Sequence, residues 1–175
     1  MLIVMAGLPG TGKSALAGRL AAKLGGIVLN KDEVRADMFP SIDYSREQDD
    51  AAMAAIYDQT HRILCVPGNT VIIDGRTFSH AYQVRDLFAA AEKMRTEPRI
   101  VECLAPDEVV RQRLERDQQA GAHPAKNRTF PMYREVKERA EPLTAPRLTL
   151  DTGRLSLEEC VARSLMYLAM ERNFD

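Results

Sequence analysis

Short apolar runs alternate along this chain with longer stretches in which apolar residues return every three or four positions. The runs lie at Leu2 to Met5, Ile27 to Leu29, Thr70 to Asp74, Arg99 to Leu104 and Arg147 to Leu150, and their pattern predicts buried strands. Between them the spacing is helical. Ala15, Leu16, Leu20 and Leu24 predict a core-facing stripe on one helix, and Ala81, Val84, Leu87, Phe88 and Ala91 predict another. Strands separated by helices in this way predict an α/β fold whose parallel sheet is covered on both faces. One stretch breaks the alternation: Gln118 to Pro131, "QQAGAHPAKNRTFP", is polar, interrupted by proline and carries Lys126 and Arg128. It reads as a loop after a helix, and a lid is expected over about residues 117 to 131.

With 175 residues, 45% of them hydrophobic, the chain has material for one sizeable core. A single domain over residues 1 to 175 is therefore expected. The formal net charge of −1 supplies no global pull toward nucleic acid or membrane, which leaves a local basic groove as the route to either. Cys65, Cys103 and Cys160 are odd in number, widely spaced and set in apolar or helical patterns. They are expected to be buried free thiols in a reducing compartment. No apolar run approaches the roughly 18 residues of a membrane span, and Met1-Leu2-Ile3-Val4 lacks the basic start of a secretory leader. A soluble, cytoplasmic protein is expected.

The first strand pattern runs into Gly7-Leu8-Pro9-Gly10-Thr11-Gly12-Lys13-Ser14, which fits G-x-x-x-x-G-K-[ST] and is followed by the first helical pattern. That strand–loop–helix context gives the match its meaning as a nucleotide phosphate cradle. Glycines reach φ values closed to other residues and let backbone N–H groups turn inward on anionic oxygens. Gly10, Thr11, Gly12, Lys13, Ser14 and Ala15 are the candidate nucleotide-binding residues. Lys13 supplies a charge for the β- and γ-phosphates, and the Ser14 hydroxyl suits Mg2+, which prefers hard oxygen ligands. The looser G-x-G-x-x-[GA] pattern also fits from Gly10 to Ala15, with Asp32 about 20 residues on, as in dinucleotide-binding oxidoreductases. The longer motif explains Gly7, Lys13 and Ser14 as well, and a chain this short has little room for a separate catalytic domain.

Other polar residues fall where such a loop would need them. Asp74 ends the strand pattern "VIID", at the carboxyl edge where ligands sit in open α/β sheets, and is the candidate partner of Ser14 for Mg2+. Arg76, on the same rim, either contacts an anionic group of an acceptor or is a solvated loop arginine. Asn30 and Glu33 resemble a helix-capping pair, which puts Asp32 in the first turn of a helix. There it serves the helix dipole or accepts the proton of an attacking hydroxyl. Arg35 shares its face and would orient Asp32 and the acceptor, or form an exposed ion pair. After the helix start at Pro106-Asp107, Arg113 and Arg116 emerge on one side, just before the expected lid. An arginine closing over a transferring phosphoryl group supplies on the order of 10³ to 10⁵ in rate, and one of this pair is the candidate.

Taken in order, "GLPGTGKS", "NKDEVR", "VIIDGRT" and "RQRLER" resemble the small P-loop kinases of the nucleoside-kinase-like group (AAA_33, zeta-toxin-like). They are similar to the kinase domain of bacteriophage polynucleotide 5′-kinases, and chloramphenicol phosphotransferases and adenylylsulfate kinases look similar in the same places. The resemblance spans most of residues 2 to 152, with only the phosphate loop highly specific. It implies a P-loop NTPase three-layer sandwich with a five-stranded parallel sheet in the order 2-3-1-4-5 and a lid. It implies Asp32 as base, Arg35 as substrate contact, Arg116 as lid arginine, and Arg113 near the adenine or phosphates. Gly75-Arg76 departs from the Thr-Asn common in polynucleotide kinases, which weakens any transfer of acceptor specificity. The expected activity is ATP- and Mg2+-dependent phosphorylation of a hydroxyl on a small acceptor. A polynucleotide 5′-hydroxyl kinase and a regulatory P-loop ATPase are the alternatives. Five Phe, five Tyr and no Trp offer little for stacking bases, which favours the small acceptor.

Overall fold

A computed structural model describes residues 1–120 and 128–170. The five apolar runs are β1 (Leu2–Ala6), β2 (Ile27–Asn30), β3 (Val71–Asp74), β4 (Pro98–Leu104) and β5 (Arg147–Asp151). They form one sheet in the order β2-β3-β1-β4-β5, with every pairing parallel. This is the P-loop NTPase α/β fold. The helices are α1 (Lys13–Leu24), α2 (Lys31–Met38), α3 (Arg46–Leu64), α4 (Ala81–Lys93), α5 (Asp107–Ala120), α6 (Phe130–Glu138) and α7 (Leu157–Met170).

Side chains alternate across a strand, so each strand of a central sheet feeds two cores. Leu2, Val4 and Ala6 of β1 join Val71 and Ile73 of β3 against Met53 and Ile56 of α3 and Leu87 and Ala91 of α4. Ile3, Met5 and Ile72 point the other way, onto Leu16 and Leu20 of α1 and Val161 and Leu168 of α7. The sheet is thus the middle of three layers. A smaller cluster of Val110, Leu114 and Tyr133 packs α5 on α6 beside Leu8 of the phosphate loop.

Several expectations need correcting. Ala15, Ala81 and Phe88 are exposed rather than core-facing. Ala15 borders a pocket at the start of α1, while α4 buries Gln83, Leu87 and Ala91, a face rotated from the expected one. Cys65 is exposed, because it follows the last turn of α3 where the chain leaves the core; Cys103 and Cys160 are buried. The stretch from Pro40 to Thr60, which carries no readable signature, contains most of a 19-residue helix capped by the Ser45 hydroxyl. Of the expected lid, residues 121–127, including Lys126, lie outside the described residues. Its flanks are the end of α5 and the start of α6. No helix among the described residues is long and apolar enough to cross a membrane.

Candidate active site

Parallel strands end on one edge of the sheet, and the loop after β1 sits at the middle of that edge. Gly7, Gly10 and Gly12 all take positive φ. At Gly7 the requirement is twofold: φ is +125°, and a Cβ would come within 2.2 Å of the Cys103 carbonyl oxygen. The loop's carbonyls are tied back. Leu8 O accepts from the Thr11 hydroxyl at 2.7 Å and from Lys13 Nζ at 2.8 Å. Thr11 O accepts from Thr152 Oγ1 at 2.8 Å, and Gly10 O from Arg113 Nη1 at 3.3 Å. In a planar trans peptide the N–H opposes the carbonyl, so the tie on Thr11 O turns the Gly12 amide hydrogen the other way, as an anion nest requires.

Arg113 also donates to Thr152 Oγ1 and O, at 2.9 and 2.8 Å. It therefore braces the loop against the end of β5, and Thr152, just past that strand, is a positioning residue that sequence reasoning missed. Both Arg113 and Arg116 line a pocket of about 340 Å³ with Gly10, Gly12 and Ser14.

Lys13 lies in the first turn of α1 but is only 7% exposed. The side chain does not project into solvent. Burial instead presses its pKa down to about 8, with Asp74 the largest opposing influence. That carboxylate is itself buried: Asp74 Oδ2 accepts from Asn30 Nδ2 at 3.0 Å, and Oδ1 has no hydrogen-bond partner among the described residues. A buried anionic oxygen without a partner is costly unless something supplies positive charge or a bridging water. Among the described residues no three His, Cys, Asp or Glu side chains cluster to hold a metal. A metal here would therefore be held by few protein ligands, the habit of Mg2+, which keeps its waters and takes phosphate oxygens. Ser14 and Asp74 fit that role.

Asn30 ends β2 and caps α2. Its Oδ1 accepts from the backbone N–H of Asp32 at 2.9 Å and of Glu33 at 3.4 Å, while its Nδ2 reaches Asp74. Gly75, at φ +94°, allows this approach, since a Cβ there would stand 3.0 Å from the Lys31 backbone nitrogen. The first turn of α2 then presents Asp32 to a second, larger cleft of about 700 Å³. Arg35 Nη2 is 3.5 Å from Asp32 Oδ1, with only 4% and 15% of the two side chains exposed, so this is no surface pair. Arg35 is held by Asp49 of α3, which also accepts from Lys31 Nζ at 2.5 Å. Asp49 is a second residue missed from sequence.

Arg76 goes elsewhere. It is 1% exposed, donates from Nη2 to Asp50 Oδ1 at 2.9 Å, and lines a crevice between α3 and α4 instead of the cleft beside Asp32. The need to pair a buried guanidinium with a carboxylate decides its direction. Arg128, just before α6, lines both the pocket beside the phosphate loop and the Asp32 cleft; Lys13 and Ser14 do the same. Burial lowers the Arg128 pKa.

Known proteins share this architecture. A candidate kinase from Chloroflexus aurantiacus J-10-fl superposes with a TM-score of 0.74 at 24% identity, over 97% of this chain and 96% of its own. A gluconokinase from Sinorhizobium meliloti 1021 gives 0.68 at 18% identity, over 97% and 91%. The Mycobacterium tuberculosis APS kinase CysC, in complex with AMPPNP and APS, gives 0.70 at 18% identity, over 96% and 97%. Identities at this level carry the fold. No curated protein matches the sequence. The model of the AAA_33 family, described as an AAA domain, matches residues 2–157, which include all five strands of the sheet and the phosphate loop, and the chain belongs to that family.

Proposed function

We propose that this chain is a phosphotransferase that moves the γ-phosphate of ATP onto a hydroxyl of a small acceptor, with Mg2+ as cofactor. One observation carries the reading: Lys13, Ser14 and Arg128 border both the pocket beside the phosphate loop and the cleft that holds Asp32. A phosphoryl group passing between two such cavities would meet those three side chains. The architecture is shared with an APS kinase structure that holds AMPPNP and APS, which supports a nucleotide on one side and an acceptor on the other.

In this reading the phosphate loop and Lys13 hold the triphosphate. The acceptor's hydroxyl oxygen attacks the γ-phosphorus as the bond to the bridging oxygen breaks; ADP leaves, and the proton passes to the Asp32 carboxylate. Arg35 holds Asp32 in place. Ser14 and Asp74 would hold Mg2+, which when bound neutralises charge on the phosphate oxygens. Arg116 borders the nucleotide pocket alone, so Arg128 is better placed than Arg116 for charge developing between the cavities.

Asp32→Asn tests the assignment. It should lower kcat for acceptor phosphorylation by roughly 10² to 10⁴ while ATP still binds. Full ATP turnover in this variant, with no acceptor needed, would instead point to a regulatory ATPase that only positions a water.

A further inference from the structure

The cleft beside Asp32 is far more basic than the chain around it. Among the described residues, six lysine and arginine side chains line it against two aspartates, whereas the whole chain carries −1. Three of those cations have evident work. Lys13 serves the phosphate loop, and Lys31 and Arg35 share Asp49. The other three, Arg46, Arg128 and Arg139, arrive from the first turn of α3, the segment before α6 and the far end of α6. Arg46 and Arg139 border this cleft and not the nucleotide pocket.

Arg46 is incompletely balanced. Its Nε stands 3.3 Å from Asp50 Oδ2, but the same carboxylate takes Arg76 Nη2 at 2.9 Å, so one anion answers two guanidiniums. The Arg46 guanidinium also lies 4.2 Å from the centroid of the Tyr82 ring, which stacks on His80. A guanidinium laid on an aromatic face keeps its in-plane donors for a planar or tetrahedral oxyanion. Positive charge concentrated in a concave site draws anionic ligands, and a volume of about 700 Å³ suits a small molecule.

We infer that the acceptor carries an oxyanion of its own, a phosphate, sulfate or carboxylate, and that Arg46 and Arg139 hold it on the side of the cleft away from the nucleotide. This rests on the phosphotransferase reading. It makes the acceptor a small hydroxylated anion and the two arginines its specificity determinants.

Calorimetry on the full chain tests it in two stages. The dissociation constant for ADP with Mg2+ comes first; if the nucleotide does not bind, the phosphotransferase reading fails. On the ADP-loaded protein, ribose 5-phosphate is then compared with ribose, and gluconate with glucose. At least one anion should bind tenfold or more tightly than its neutral partner. Arg46→Gln combined with Arg139→Gln should erase that advantage; both side chains are exposed, so the fold should survive. If ADP binds and the neutral compounds do as well as the anions, if no compound of the panel binds, or if the double variant keeps the preference, this inference alone is overturned. A 5′-hydroxyl oligonucleotide that binds more tightly than every small compound, with a steep salt dependence, would overturn the small acceptor.

Discussion

Replacing Lys13 by methionine separates what this lysine costs the fold from what it does for the ligand. With 7% of its surface exposed and its pKa pushed from 10.5 down to about 8 by burial, protonated Lys13 opposes folding at neutral pH. At about 1.4 kcal/mol for each pKa unit, the cost is on the order of 3 kcal/mol. The hydrogen bond from Nζ to Leu8 O returns about 1 kcal/mol. Lys13→Met should therefore be more stable than the parent by about 2 kcal/mol at pH 7 without nucleotide. Below pH 8 both states of the parent are protonated there, and the difference should stay flat. Between about 8 and 10.5 the folded lysine has shed the proton that the unfolded chain keeps. The parent should then gain on the variant by about 1.4 kcal/mol per pH unit, until the order reverses. Urea unfolding of both proteins at pH 7, 8.5 and 10 measures this, and the stabilisation given by ADP with Mg2+ should vanish in the variant. A variant less stable than its parent at pH 7, or a difference that does not change with pH, would refute the argument.

Other outcomes follow from the same geometry. Thr152→Val removes the hydroxyl that ties Thr11 O and receives Arg113; it should cost about 1 to 3 kcal/mol and weaken ADP binding in calorimetry. Asp49→Ala leaves Lys31 and Arg35 buried without their shared carboxylate, and denaturant unfolding should show a loss of about 3 to 5 kcal/mol. Burial raises the Cys103 thiol to about 12 and also raises that of Cys160, while Cys65 is exposed. A thiol reagent at pH 8 should thus titrate one cysteine in the native protein and three after denaturation.

The phosphate loop was legible because its constraints are local: the glycines, Lys13 and Ser14 lie in one octapeptide, and the neighbouring strand and helix patterns locate it. Asn30 and Asp32 were legible for a similar reason, since a cap acts on the helix it starts. Asp49 was not. Its partners Lys31 and Arg35 lie 18 and 14 residues away, and within "SREQDDAA" it looks like any acid near a helix N-terminus. Thr152 was hidden by a longer separation, 141 residues from Thr11. Arg76 exposes the opposite failing: position on the rim is readable, but the direction of the side chain depends on Asp50, which only the packing of α3 supplies. The apolar stripes gave helices correctly and faces less well, because small residues such as Ala15 and Ala81 are cheap on either side.

The Asn30 side chain joins two parts of the site that sequence keeps 42 residues apart. Its oxygen meets two N–H donors and its nitrogen meets a carboxylate, so the amide has only one sensible orientation and acts as a rigid ruler between Asp32 and Asp74. Serine, threonine or aspartate would start α2 nearly as well, yet none presents an acceptor to the helix and a donor to the strand in the same way. Helix initiation and alignment of the two acids are therefore separable properties of one position: a substitution there can preserve the architecture while letting the two halves of the site drift out of register.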